Sequence, residues 1–168
     1  ANNSIETLVR ASGLERSEFM ARMNDYVSSL GAEKTHFREP TGLCSENVST
    51  AEEYAIIIED VLQESIIRQA STEKEYKLTT VNTDRSLVLR NTNSLLRHTD
   101  LDPADFRITG SKTGYIEQAG YCLAVDINNL KGDDFTILVM KAPTRKASFL
   151  QVEELIRYGL KKFNNLNM

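Results

Sequence analysis

Residues 121–127 read Tyr-Cys-Leu-Ala-Val-Asp-Ile, residues 135–141 read Phe-Thr-Ile-Leu-Val-Met-Lys, and these two stretches decide the fold class. Both are rich in β-branched and aromatic residues, which suit a pleated, half-buried surface, so each is expected to be a strand. Residues 128–134 lie between them and contain Lys131-Gly132-Asp133. Two strong strands joined by a short turn make an antiparallel hairpin. Working outward, residues 75–80 and Ser86–Arg90 alternate in the same way around Asn82-Thr83-Asp84, which predicts a second, weaker hairpin. Residues 91–107 are polar and irregular apart from Leu95 and Leu96.

The flanks change period. Downstream, a helix is expected from Ser148 to about Phe163, capped by Ser148 and Gln151, with Val152, Leu155, Ile156, Leu160 and Phe163 inward. Upstream, Asn3 with Glu6 reads as a capping box before Ile5, Leu8 and Val9, and Gly13 ends that helix. Phe19, Met20, Met23, Tyr26, Val27 and Leu30 fit a second helix, its Met and Tyr stripe read as core, and Gly31 sits at its C-terminal cap. Residues 32–48 form a loop around Pro40 and Gly42. Ser49 with Glu52 and Thr50 with Glu53 then give two overlapping capping boxes. They open a helix with Tyr54, Ala55, Ile57, Ile58, Val61 and Leu62 on one face, continuing, broken or not, to about Ala70. Helices, then strands, then a helix give an α+β fold, an antiparallel sheet backed by helices.

Composition narrows the function classes. The 168 residues suffice for one domain with a core, and 40% hydrophobic with 26% charged is ordinary for a soluble protein. A net charge of −4 argues against nucleic acid, which demands a basic footprint. No apolar run reaches the roughly 18 residues of a membrane span. Cys44 and Cys122 are far apart and read as free, partly buried thiols, with a disulfide open if the protein is exported. With only His36 and His98 besides, no metal site is expected. His36 reads as a structural loop residue and His98 as surface. Asp100, Asp102 and Asp105 read as a solvated loop.

The chemistry-bearing stretch is Gly110-Ser111-Lys112-Thr113-Gly114-Tyr115. On a strand beside a cleft, lysine supplies a fixed positive charge for a substrate carboxylate or a nearby proton. Threonine adds a hydroxyl donor, and glycine lets a substrate backbone lie against the strand. The tripeptide alone has little specificity. It stands, however, in a series: Thr35-His36-Phe37, Pro40-Thr41-Gly42-Leu43, Ser49-Thr50-Ala51, Asn91-Thr92-Asn93 before Leu95-Leu96, Lys112-Thr113-Gly114, and Ala119-Gly120-Tyr121-Cys122-Leu123. In this order and spacing the chain resembles the serine-type D-alanyl-D-alanine carboxypeptidases, the low-molecular-weight penicillin-binding proteins, over nearly all 168 residues.

That family works through three motifs. Ser-x-x-Lys holds the nucleophile and its base, Ser-x-Asn stands across the cleft, and Lys-Thr-Gly forms the edge strand. The resemblance implies that Lys112, Thr113 and Gly114 are the third motif. It implies that Ala1-Asn2 closes the second, with Asn2 catalytic. The first motif is then expected upstream of Ala1, the sequence opening Ala-Asn-Asn as a processed or excised product. Residues 1–168 would be the C-terminal part of a transpeptidase-like catalytic domain, incomplete at its N-terminus and inactive alone. Ser71-Thr72-Glu73-Lys74 matches Ser-x-x-Lys in letters, but it follows the Ser-x-Asn position and sits where helix gives way to strand, so it is rejected as nucleophile. Two departures stand out: Ile116 where relatives carry Thr or Ser, and Ser148 where they carry an arginine. Arg145 or Lys146 could substitute for that arginine, and only Arg offers a planar two-point fork.

What the resemblance implies is a penicillin-binding peptidoglycan peptidase, carboxypeptidase or endopeptidase, outside the cytoplasmic membrane. Catalytic residues are Asn2, Lys112 and Thr113, and substrate-binding residues are Gly114, Tyr115 and Arg145. It implies no cofactor and no metal. Its partners are the stem peptide and β-lactams, with membrane attachment only through segments outside this chain. The alternatives are a non-catalytic peptidoglycan- or partner-binding module, and a β-lactamase or esterase relative on the same fold.

Overall fold

The chain runs α1 (Asn2–Ala11), α2 (Arg16–Ser29), α3 (Ala51–Val61), α4 (Ser65–Thr72), β1 (Glu75–Thr79), β2 (Ser86–Arg90), a 3-10 turn (Ser94–Leu96), β3 (Arg107–Ile116), β4 (Gly120–Asn128), β5 (Asp134–Ala142) and α5 (Arg145–Leu166) in a computed structural model that describes residues 2–166. β3, β4 and β5 form one antiparallel sheet in that order, and β1 with β2 a separate hairpin.

Alternation along β4 sorts the core into two layers. Leu123, Val125 and Ile127 point to one face, where they meet Ile137 and Val139 of β5 and Val152 and Ile156 of α5. Ala124 points to the other face and packs with Ile58 and Leu62 at the end of α3. Asp126, also on that face, accepts hydrogen bonds from Thr109 and Thr136 at 2.6 and 3.0 Å. Each fully buried aliphatic side chain contributes about 1.5–3 kcal/mol. Val27, Ala32 and Ile57 make a smaller cluster tying α2 to α3. The other helices thus stand on one side of the sheet and α5 on the other, and β3 and β5 are its two edge strands among the described residues.

Several termini differ from expectation. α5 starts at Arg145, three residues early, because Thr144 provides the cap: its hydroxyl accepts from the Ala147 N–H at 3.0 Å. Ser148 is instead buried and donates to the Arg145 carbonyl. Asn3 lies inside α1, so the first capping box does not form, and of the expected apolar stripe only Val9 is buried while Leu8 is 65% exposed. At α3, Thr50 caps as expected by accepting from Glu53 N–H. Glu53 does not return the bond. Its carboxylate takes Lys34 N–H and the Thr35 hydroxyl, and Ser49 also bonds Thr35. The helix then breaks after Leu62, whose carbonyl accepts from Arg68 Nε at 2.9 Å. The expected core stripe of α2 is only partly covered: Tyr26 is exposed and donates to Asp60 at 2.6 Å. Gly31 follows the α2 cap at φ 87°, the left-handed position that favours glycine. Cys44 and Cys122 are free and half-buried.

The loop of residues 32–48 is organised by one carboxylate. Glu39 accepts from the N–H groups of Thr41, Leu43 and Cys44, the Thr41 hydroxyl and the Asn47 amide. Burial pushes its pKa up, but these bonds outweigh it and hold the group at about 2. His36 contributes a backbone bridge to Val48, a structural role.

Candidate active site on the edge strand

Strand β3 has two ends with different surroundings. At the first, Gly110 is buried, and a Cβ there would sit 2.4 Å from Leu62 Cδ1. Glycine is therefore needed for α3 to approach the sheet. Next to it, Ser111 is pinned to the end of α4: its N–H meets the Ser71 hydroxyl at 3.3 Å, and its hydroxyl donates to the Ser71 carbonyl at 3.0 Å. Ser71 also donates to Arg68 O, so its hydroxyl is engaged in joining helix to strand.

Backbone groups alternate in direction along an antiparallel strand. Since Ser111 N–H faces outward to Ser71, the N–H and C=O groups of Thr113 and Tyr115 also face the outer edge. Gly114 lies between them. A Cβ there would meet only Cys122 Cβ at 3.9 Å, so neither packing nor a left-handed φ requires glycine at this position. The strand is open at this position among the described residues.

The side chains gather around this open half. Lys112 keeps access to solvent, yet desolvation by the surrounding protein atoms lowers its pKa from the ordinary lysine value. Its ammonium donates to the Thr113 carbonyl. The Thr113 hydroxyl shares a 2.6 Å hydrogen bond with Thr92. Arg145, at the start of α5, donates from Nη2 to the Thr92 carbonyl at 2.6 Å and lies over the Phe149 ring. Tyr115 stacks on Tyr121 with ring centroids 4.3 Å apart, which fixes an exposed aromatic beside Thr113. A cleft of about 730 Å³ opens beside Arg145, lined also by Arg97, exposed His98, Lys146 and Glu153.

Of the residues singled out in the sequence, the structure brings Lys112, Thr113, Gly114 and Tyr115 to one edge and links Arg145 to them through Thr92. Asn2 is exposed at the first turn of α1, with no hydrogen bond to this strand among the described residues, and Ala1 lies outside those residues. Sequence reasoning missed Thr92, although Asn91-Thr92-Asn93 was visible as a motif; it also missed the Ser71–Ser111 pin. Among the described residues, no group of three or more His, Cys, Asp or Glu could hold a metal ion, and no helix is long and apolar enough to cross a membrane.

The family model described as D-alanyl-D-alanine carboxypeptidase matches residues 8–144. The D-alanyl-D-alanine carboxypeptidase DacF of Bacillus subtilis is 34% identical over 149 residues, 87% of this chain and 36% of the relative. The D-alanyl-D-alanine endopeptidase of Escherichia coli is 38% identical over 113 residues, 66% of this chain and 35% of the relative. Among solved structures, the Streptomyces K15 DD-transpeptidase superposes with a TM-score of 0.72 at 26% identity, covering 85% of this chain and 54% of that one. The chain thus spans about a third of the length of these two curated relatives.

Proposed function

Since the chain belongs to the D-alanyl-D-alanine carboxypeptidase family, we propose that residues 1–168 are the part of a catalytic domain that forms the Lys-Thr-Gly wall of a peptidoglycan D-alanyl-D-alanine peptidase. The stem peptide adds to the free edge of β3, bonding the outward N–H and C=O groups of Thr113 and Tyr115. Gly114 leaves room for its backbone. Lys112 supplies positive charge, and the Thr113 hydroxyl donates to the carboxylate of the terminal D-alanine. Arg145 adds a second positive charge beside Thr113, and Tyr115, held by Tyr121, forms a rigid wall. Asn2 offers an amide to the substrate from the helical side of the cleft.

The nucleophile and its base are a Ser-x-x-Lys pair outside these residues. The serine Oγ attacks the carbonyl between the two D-alanines, and its proton passes through the base to the departing amine. Water then cleaves the ester and frees the serine. A β-lactam enters at the same serine and leaves more slowly. The domain works outside the cytoplasmic membrane, and any membrane attachment comes from other segments. Where the substrate is a crosslink, the cleaved bond has no free carboxylate beside it, and the same site acts as an endopeptidase.

The observation that carries this reading is the half-open strand. Gly114 has no internal neighbour that demands it, directly beside a partly desolvated lysine. The test is release of D-alanine from a D-Ala-D-Ala peptide, and cleavage of a crosslinked dimer, by the full-length protein. Activity that disappears in Lys112→Ala with the fold intact supports the proposal. A folded full-length protein that binds the peptide and cleaves neither substrate points to a non-catalytic binding module.

A further inference from the structure

We propose that Thr92 is a positioning residue that directs the Thr113 hydroxyl proton toward a free substrate carboxylate, making Thr92 a determinant of specificity for carboxylate-ended peptides. The inference rests on the proposed role of the Lys-Thr-Gly strand.

A threonine hydroxyl has one proton and two acceptor lone pairs. Two hydroxyls in one hydrogen bond place one proton between them and leave one free. The Thr92–Thr113 pair is 2.6 Å apart, near the short end of the range for O–H···O bonds. When Thr92 is the donor, Thr113 keeps its own proton for the open edge. When Thr113 is the donor, it meets the substrate with lone pairs alone and repels a carboxylate. The arrival of a carboxylate selects the first arrangement, and the two bonds in series strengthen one another.

Thr92 is held firmly enough to impose this. On one side, the Asn91 amide donates to Ser71 O and Glu73 O at 2.9 and 3.1 Å, and its N–H to Lys74 O. On the other, Asn93 is 1% exposed and accepts from Leu95 N–H. Asn91 Oδ1 also accepts from Asn93 N–H, closing the turn beneath Thr92. Arg145 occupies the Thr92 carbonyl. Of the three residues, only Thr92 is exposed, so its hydroxyl alone faces the strand edge.

The experiment uses the full-length protein with Thr92→Val, Thr92→Ala, Thr92→Ser and, as a control, Thr113→Val. The substrates are a D-Ala-D-Ala peptide and its C-terminal methyl ester, which lacks the carboxylate. Thr92→Val and Thr92→Ala are expected to lower kcat/KM for the acid about tenfold, mainly through KM, and to change the ester less than twofold. Thr92→Ser is expected to restore the acid to within twofold. Equal losses on acid and ester, or failure of serine to restore, would overturn the inference. If Thr113→Val loses the preference for the acid and Thr92→Val keeps it, the Lys-Thr-Gly reading stands and only the role of Thr92 falls. A wild-type protein that cleaves neither substrate removes both.

Discussion

Gly110 and Gly114 stand four residues apart on the same strand and are glycines for opposite reasons. At Gly110 the reason lies inside the molecule: Leu62 fills the space a side chain would need. At Gly114 nothing nearby needs the space, because the nearest atom a Cβ would meet is at ordinary contact distance. One end of β3 is therefore built for packing. It is fastened by Ser71 and covered by α3 and α4. The other end is built to be approached, with Lys112, Thr113 and Tyr115 around an uncovered edge. A strand can serve both purposes because its backbone directions repeat every two residues, so the helix that covers Ser111 leaves Thr113 and Tyr115 facing outward.

The largest effect should come at the open end. Lys112→Ala in the full-length protein is expected to slow acylation by penicillin on the order of 10²–10³-fold, with little change in the urea midpoint. Because its pKa is lowered by desolvation, the lysine's charge is lost at lower pH than an ordinary lysine's, so the alkaline fall of kcat/KM should begin below pH 10.5. Between the folded and unfolded pKa values the unfolded chain binds more protons, so this group makes stability rise with pH across that window.

Gly110→Ala should act in the opposite sense. Its Cβ overpacks Leu62 and is expected to cost about 2 kcal/mol in urea denaturation, while the protein that remains folded acylates at an undiminished rate. Glu39→Gln is a second structural control, far from the comparison in kind. Losing a charged acceptor for several N–H groups should cost about 1.5 kcal/mol. The wild-type carboxylate is held near 2, against an ordinary 4.5. Its contribution is complete above 4.5 and declines as pH falls toward 2, so Glu39→Gln and wild type should converge in stability in acid. Gly114→Ala should have the smallest effect on stability, under about 0.5 kcal/mol, yet lower peptide cleavage about tenfold. A large loss of stability there would erase the distinction between the two glycines.

Much of this was legible in the sequence, and what was not has physical causes. The β4–β5 hairpin and the weaker β1–β2 hairpin followed from period-two patterns and short turns, signals carried within the strands themselves, while β3 was expected as a strand only through the Lys-Thr-Gly resemblance. The helix ends were less legible. At α5, Thr144 and Ser148 both qualify as caps by residue type, and only burial of Ser148 against the core decides for Thr144. At α1, the pattern of Ile5, Leu8 and Val9 suggested a buried stripe, but the described residues bury only Val9. At the site, Lys112, Thr113 and Gly114 were visible as a contiguous motif. Thr92 was not assigned, because its partner lies 21 positions away and a hydroxyl pair leaves no mark on composition or period. Counting back from the last helix reached Ser148, and Arg145 was named, beside Lys146, only as a substitute for an arginine there. Its bond to the Thr92 carbonyl could not be read from that count.

The most direct measurement is treatment of the full-length protein with a fluorescent penicillin, followed by intact mass and peptide mapping, with the 168-residue chain alone beside it. One penicilloyl group on a serine outside residues 1–168, and none on the chain alone, is the expected result. A folded full-length protein that takes no label, or an adduct mapped to Ser71, would contradict the proposed division between an edge strand that receives the substrate and a nucleophile supplied from elsewhere.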